Sequence, residues 1–131
     1  MPEKRDVTIA LLDEIQDGFN RHDVDAILSH FTEDCEWLMA RGPDPWEARR
    51  LKGKQAIGDV LRARYAVIPD MRWEEISHFV SSDQSKACSE WTVRGTPNDG
   101  GPVLDWLGCD VWTFRDGWVV TKDTYWKFIG A

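Results

Sequence analysis

Leu104-Asp105-Trp106-Leu107-Gly108-Cys109-Asp110-Val111-Trp112-Thr113-Phe114-Arg115, then Asp116-Gly117, then Trp118-Val119-Val120-Thr121-Lys122-Asp123-Thr124-Tyr125-Trp126-Lys127-Phe128 is the stretch that decides the fold. Two aromatic, β-branched runs flank an Asp-Gly pair, and both of those residues tolerate the positive φ of a type I′ or bulged turn, so the stretch reads as a β-hairpin. Alternate residues of a strand share a face, which puts Trp106, Gly108, Asp110, Trp112 and Phe114 on one side of the first arm. Antiparallel pairing about the turn puts Trp118, Val120, Lys122, Thr124 and Trp126 on the same side of the second. A carboxylate, Asp110, then lies close to an ammonium, Lys122, inside a frame of tryptophans. Two readings follow: a structural cross-strand ion pair, or a charge pair in a ligand pocket, where burial and a close partner shift pKa values. A slip of one residue in register turns the whole set to the other face.

Upstream of the hairpin the pattern changes from alternation to helical spacing. Val7, Leu11, Leu12, Ile15 and Phe19 recur on one face of a first amphipathic helix. After Asn20-Arg21-His22, Asp23 is placed to cap a second helix through Val24, Ile27, Leu28 and Phe31, which Thr32-Glu33-Asp34 ends. Cys35 to Ala40 reads as a strand, with Trp37 and Met39 on one face. The prolines of Arg41-Gly42-Pro43-Asp44-Pro45 cannot continue a ladder. That loop, with Trp46, Arg49, Arg50 and Lys52, is either solvated or folded over a pocket mouth. Gly53 opens a third helix with Ala56, Ile57, Val60, Leu61, Tyr65 and Ile68 on its apolar face, and Pro69-Asp70 stops it. Strands are expected at Met71–Ser81, Lys86–Thr96, Val103–Arg115 and Trp118–Ile129. Three helices ahead of a curled sheet make an α+β architecture able to enclose a cone, in one domain spanning residues 1–131.

Composition narrows the function classes. The net charge is −7 and no block of Lys or Arg occurs, so the electrostatic footprint for nucleic acid or an anionic membrane is missing. Cys35, Cys88 and Cys109 are odd in number and form no C-x-x-C motif, which points to reduced thiols and a cytoplasmic setting. No segment reads as a signal peptide or membrane span. Eight tryptophans in 131 residues supply rigid, bulky walls for a core or a concave site. No H-x-x-H, H-E-x-x-H or cysteine pair marks a metal site, and neither a metal nor another cofactor is expected. His78 lies on the second of the expected strands, where alternation does not say whether it joins Arg72, Glu74 and Ile76 in the cone; a solvated face is the default, as it is for Glu75 and Glu90. His22 and His30 are expected at the surface or at caps.

Several segments together resemble the NTF2-like superfamily, in particular its SnoaL-like and ketosteroid-isomerase-like branch. They are Phe19-Asn20-Arg21-His22-Asp23-Val24-Asp25-Ala26-Ile27, Phe31-Thr32-Glu33-Asp34-Cys35, Leu51-Lys52-Gly53-Lys54-Gln55-Ala56-Ile57, Glu90-Trp91-Thr92-Val93-Arg94-Gly95-Thr96, and Gly108-Cys109-Asp110 leading to Phe114-Arg115-Asp116-Gly117. The resemblance implies an NTF2-like cone, with helices packed on a strongly curved mixed or antiparallel sheet. It says less about the reaction, because this scaffold hosts isomerases, cyclases, hydrolases, dehydratases and non-catalytic modules. The acid that donates a hydrogen bond to the substrate oxyanion in the ketosteroid-isomerase-like pattern falls on Asp110. The proton-shuttling carboxylate of that pattern falls on Met39 and its helix-1 tyrosine on Ile15, so isomerisation by that mechanism is not implied. The acid of the cyclase and hydrolase branches falls on Thr124, one residue beyond Asp123, which alternation sends away from the cone.

The site expected from these readings places Asp110 and Lys122 as the acid–base pair. Trp37, Met39, Leu61, Ser89, Trp91, Trp106, Trp112, Thr124 and Trp126 would bind a small apolar, aromatic or carbonyl-bearing molecule. Lys122 would hydrogen-bond a developing oxyanion while Asp110 moves the proton. The alternative is a non-catalytic module that holds an apolar ligand. In either case a homodimer is expected through the outer sheet face of Asp105, Leu107, Cys109, Val111 and Thr113 with Val119, Thr121, Asp123 and Tyr125.

Overall fold

The computed structural model describes residues 2–42 and 49–128. Its element order is α1 (Ile9–Asn20), α2 (Val24–Leu28), β1 (Phe31–Leu38), β2 (Arg50–Lys52), α3 (Gly53–Val67), β3 (Arg72–Val80), β4 (Lys86–Gly95), β5 (Leu104–Arg115) and β6 (Trp118–Trp126). The strands form one sheet in the order β2-β1-β6-β5-β4-β3. Neighbours pair antiparallel except β1 and β6, which run parallel, so the sheet is mixed. Pro43, Pro45 and Trp46, of the loop expected to be either solvated or folded over a pocket mouth, lie outside the described residues.

Local chemistry sets the helix ends. The Thr8 side chain accepts from the Leu11 amide at 3.0 Å and starts α1, and Asp23 accepts from the Ala26 amide at 3.0 Å to start α2. α1 and α3 bury Leu11, Leu12, Ile15, Phe19, Ile57 and Leu61 against the inner sheet face. Two sequence expectations change here. α2 stops at Leu28, and Phe31, which its spacing assigns to the helix, is the first residue of β1. Phe31 pairs with Val119, and the Val119 amide bonds the His30 carbonyl at 2.9 Å, so long-range strand pairing overrides a local helical period. β2 went unrecognised because three residues are too few to show alternation.

Two bulges decide which side chains enter the cone. Asp116 and Gly117 have φ of 54° and 85°, the positive pair a type I′ turn requires. Such a turn pairs Arg115 with Trp118 and Phe114 with Val119, and continued without a break it would set Lys122 opposite Val111, facing out. The register instead shifts between Phe114 and Thr113, leaving Val120 as an extra residue, so Trp112 pairs with Lys122 and Asp110 with Thr124. Lys122, Thr124 and Trp126 therefore face inward as expected. Trp118 and Val120 do not: Val119 takes the buried position, which also removes it from the outer-face set. The second bulge lies in β3, where Glu75 has φ of 56° and the register shifts between Glu74 and Ser77. It keeps Trp73 inside and brings Ile76 and His78 in behind it, while Arg72 and Glu74 face solvent.

Candidate functional site

Asp110, Lys122 and Thr124 converge on the inner face of the hairpin. The Lys122 ammonium donates to Asp110 Oδ1 at 2.9 Å and to Thr124 Oγ1 at 3.0 Å, and the Thr124 hydroxyl donates to the same Asp110 oxygen at 2.6 Å. Two indoles close the set: Trp91 Nε1–H donates to Asp110 Oδ2 at 3.1 Å, and Trp37 Nε1–H donates to Thr124 Oγ1 at 2.9 Å. Asp110 and Lys122 are 3% and 4% exposed, so the pair is dry. Removing two such charges from water costs several kcal/mol per ion, offset when the geometry is good and further hydrogen bonds engage both groups. Here Asp110 accepts three and Lys122 donates two. The Lys122 ammonium also sits 4.4 Å from the Trp37 ring centroid, 5.2 Å from Phe19 and 5.8 Å from Trp112, within cation–π range. Burial pulls the Lys122 pKa below the ordinary lysine value, with the Asp110 charge acting in the opposite direction.

Beside this cluster a cavity of about 510 Å³ opens between β1, α3 and the end of β6. Trp37, Met39 and Trp126 form its apolar wall, Arg41, Arg49 and Arg64 its basic part, and Thr124 is the member of the polar cluster that reaches it. Asp110 and Lys122 lie one layer deeper, behind Trp37 and Thr124. Of the other expected binding residues, Leu61, Ser89, Trp91 and Trp112 are fully buried and do not line this cavity. Trp106 does not line it either; it meets Phe128 edge to face at 4.9 Å and lies tilted to Trp126 at 6.1 Å. Arg64 was missed by the sequence reading, since on the helical wheel it looks like an ordinary polar-face residue next to the core tyrosine, Tyr65.

The histidines are more engaged than expected. His78 is almost wholly buried, with Nδ1 2.7 Å from Ser89 Oγ and Nε2 3.0 Å from Asp13 Oδ1. The Asp13 carboxylate can only accept, so His78 Nε2 carries a proton; in the neutral ring Nδ1 then accepts from the Ser89 hydroxyl, whose oxygen also accepts from Trp112 Nε1–H at 2.9 Å. The line Ser89–His78–Asp13 resembles a nucleophile relay in composition only, because Ser89 is 1% exposed and lines neither the cavity beside Thr124 nor the one beside Trp91. His22 stacks on Tyr65 at 3.8 Å and bonds the Met71 carbonyl oxygen at 2.6 Å, tying the α1–α2 turn to α3 and β3. Asp123 faces outward and accepts from the Tyr125 hydroxyl at 3.0 Å. Among the described residues no three His, Cys, Asp or Glu side chains converge as a metal site, and no helix is long and apolar enough to cross a membrane.

Comparison with known proteins agrees with this architecture. Residues 12–121 match the SnoaL-like domain family. No curated protein matches the chain. Among solved structures, a SnoaL-like protein of unknown function from Burkholderia thailandensis is 26% identical, with a TM-score of 0.72 over 93% of this chain and 99% of that one. A proposed polyketide cyclase from Xanthomonas campestris is 21% identical, with a TM-score of 0.76 over 90% of this chain and 88% of that one. Bal32a, from a soil-derived mobile gene cassette, is 20% identical, with a TM-score of 0.74 over 89% and 86% of the two chains. With the family match spanning most of its length and the cone built as such folds are, the chain belongs to the SnoaL-like domain family of the NTF2-like superfamily.

Proposed function

We propose that the chain is a small-molecule enzyme of the SnoaL-like type. It holds an aromatic or carbonyl-bearing ligand in the cavity and moves a proton without a cofactor, using Asp110, Lys122 and Thr124. The observation that carries this reading is the double position of Thr124: its hydroxyl lines the cavity and bonds both members of the dry pair. As the site stands, Thr124 Oγ1 accepts from Trp37 and Lys122 and donates to Asp110, so both lone pairs are engaged. A ligand oxygen that accepts the Trp37 indole N–H frees one of them. A proton leaving the ligand can then pass to Thr124 Oγ1 as the hydroxyl proton passes to Asp110 Oδ1, with the Trp37 indole N–H bonding the ligand oxygen on which charge develops and Lys122 staying beside Asp110.

The test is hydrogen–deuterium exchange at the carbon next to a carbonyl, followed by NMR in D2O for a panel of aryl ketones and β-dicarbonyl compounds. Wild-type protein should accelerate exchange of a bound compound. Thr124→Val and Asp110→Asn should lower that rate by about 10²-fold or more, with ligand affinity kept. A second reading, a non-catalytic ligand-holding module, is favoured by the depth of Asp110 and Lys122, neither of which lines the cavity. Compounds that bind yet exchange at the buffer rate would establish it. For the assembly we propose a homodimer through the outer sheet face, where Phe79, Leu107 and Tyr125 are each more than half exposed. Light scattering after gel filtration checks it, and a monomeric mass would remove it. A cytoplasmic setting remains part of the proposal, supported by three free thiols.

A further inference from the structure

Nine of the ten arginines of this chain fall into two groups. The tenth, Arg5, also meets no carboxylate among the described residues, but it lies over the Trp118 ring and donates to the Gly117 carbonyl oxygen, away from the cavity. Arg21, Arg50, Arg62, Arg72, Arg94 and Arg115 each meet a carboxylate within 4.0 Å. Arg41, Arg49 and Arg64 meet none among the described residues, and these are the three that line the cavity. The described lining contains no Asp or Glu, although the chain carries a net charge of −7. Arg64 is half-buried, and its guanidinium lies over the Trp37 ring at 5.1 Å, while that of Arg41 lies over Phe128 at 4.5 Å. A guanidinium held over an aromatic face can still direct N–H groups to a ligand, and arginine receives a carboxylate by two parallel hydrogen bonds. Burial lowers the Arg64 pKa, Tyr65 and Asp110 act in the opposite direction, and the Arg49 charge adds a smaller lowering, so the two guanidinium groups that line this cavity repel each other. An anion between them would relieve that repulsion.

We propose that the cavity takes an organic anion, a carboxylate on a flat apolar or aromatic body, with Arg64 holding the carboxylate and Arg41 and Arg49 forming the basic rim. The body lies against Trp37, Met39 and Trp126, in a volume within the usual range for small-molecule sites. This rests on the ligand-binding part of the function proposed above and deepens it by naming the substrate class. It also orients the ligand: the carboxylate faces α3 and the rim, and the reacting end faces Thr124.

The test compares 2-naphthoate with the neutral 2-naphthamide by isothermal titration and by quenching of tryptophan fluorescence. Wild-type protein should bind naphthoate at least about tenfold more tightly, since charge-assisted hydrogen bonds are the stronger kind. The preference should shrink as salt is raised. Arg64→Gln should abolish the preference and leave naphthamide binding within about twofold, because the charge and not the apolar wall is removed. Arg49→Gln, at an exposed position, should reduce it in part, and together with the salt series it carries the test should Arg64→Gln fail to fold. Equal affinity for the two probes, or a preference that survives in both variants, would overturn the anion assignment and leave the ligand-binding reading intact. If neither probe binds, both readings fall.

Discussion

Lys122→Met removes the ammonium and leaves a carboxylate buried at 3% exposure. Asp110 would lose its 2.9 Å partner and keep the Thr124 hydroxyl at 2.6 Å and the Trp91 indole at 3.1 Å. Breaking a buried pair from one side costs about 3–5 kcal/mol, because the remaining charge is left uncompensated. Two surviving neutral donors put this case near the low end, about 3 kcal/mol. With a urea slope of roughly 1–3 kcal/mol/M, the unfolding midpoint should fall by about 1–3 M. Replacing both charges, as Asp110→Asn with Lys122→Met, should return part of that loss, with a coupling of about 1–3 kcal/mol in the double-mutant cycle. The sign of the pH dependence follows from the depressed Lys122 pKa. The unfolded chain keeps its proton up to 10.5, while the folded chain releases it at lower pH. The penalty for burying the charge is thus complete below the folded pKa and gone above 10.5, so wild type should gain stability over the doubly neutral variant as pH rises through that window. A loss below about 1 kcal/mol for Lys122→Met, the scale of an exposed pair, would show that water reaches the pair and would remove the dry-cluster argument.

Two further tests probe the hairpin and its surroundings. A Cβ at Gly108 would lie 2.5 Å from the Tyr125 carbonyl oxygen and 2.8 and 2.9 Å from Trp91 ring atoms, so Gly108→Ala should cost roughly 1–3 kcal/mol. It should also alter the near-UV circular dichroism as Trp91 moves off Asp110; an unchanged spectrum and midpoint would count against the close packing. Hydrogen bonds from the Arg115 guanidinium at 2.7 and 3.1 Å are the main cause that holds Asp34 down from 3.8 to about 2. Its contribution to stability is therefore present above the unfolded value and lost as pH falls through about 2. Carboxyl NMR should place the Asp34 midpoint near there, and Arg115→Gln should move it up toward 3.8; no movement would refute the assigned cause.

Much of this molecule follows from local pattern. The Asp116-Gly117 turn, the caps at Thr8 and Asp23, and the alternating runs of β3 to β6 depend on short-range backbone preference and periodicity, so the α+β class was legible from the chain alone. The inward meeting of Asp110 and Lys122 was legible only in part. It depends on an extra residue at Val120, and a bulge exists only in relation to the strand it faces. The same holds for His78, carried inside by the bulge at Glu75, and for Phe31, drawn from helix to strand by pairing with Val119. The basic mouth was legible only as one of two readings of the loop that carries Arg49, and without Arg41 or Arg64. Arg41, Arg49 and Arg64 come from the ends of separate elements, and their shared cavity arises only when α3 packs over β1 beside the end of β6. Periodicity reports which face of one element is apolar; which charges share a hollow is settled by contacts between residues far apart in the chain.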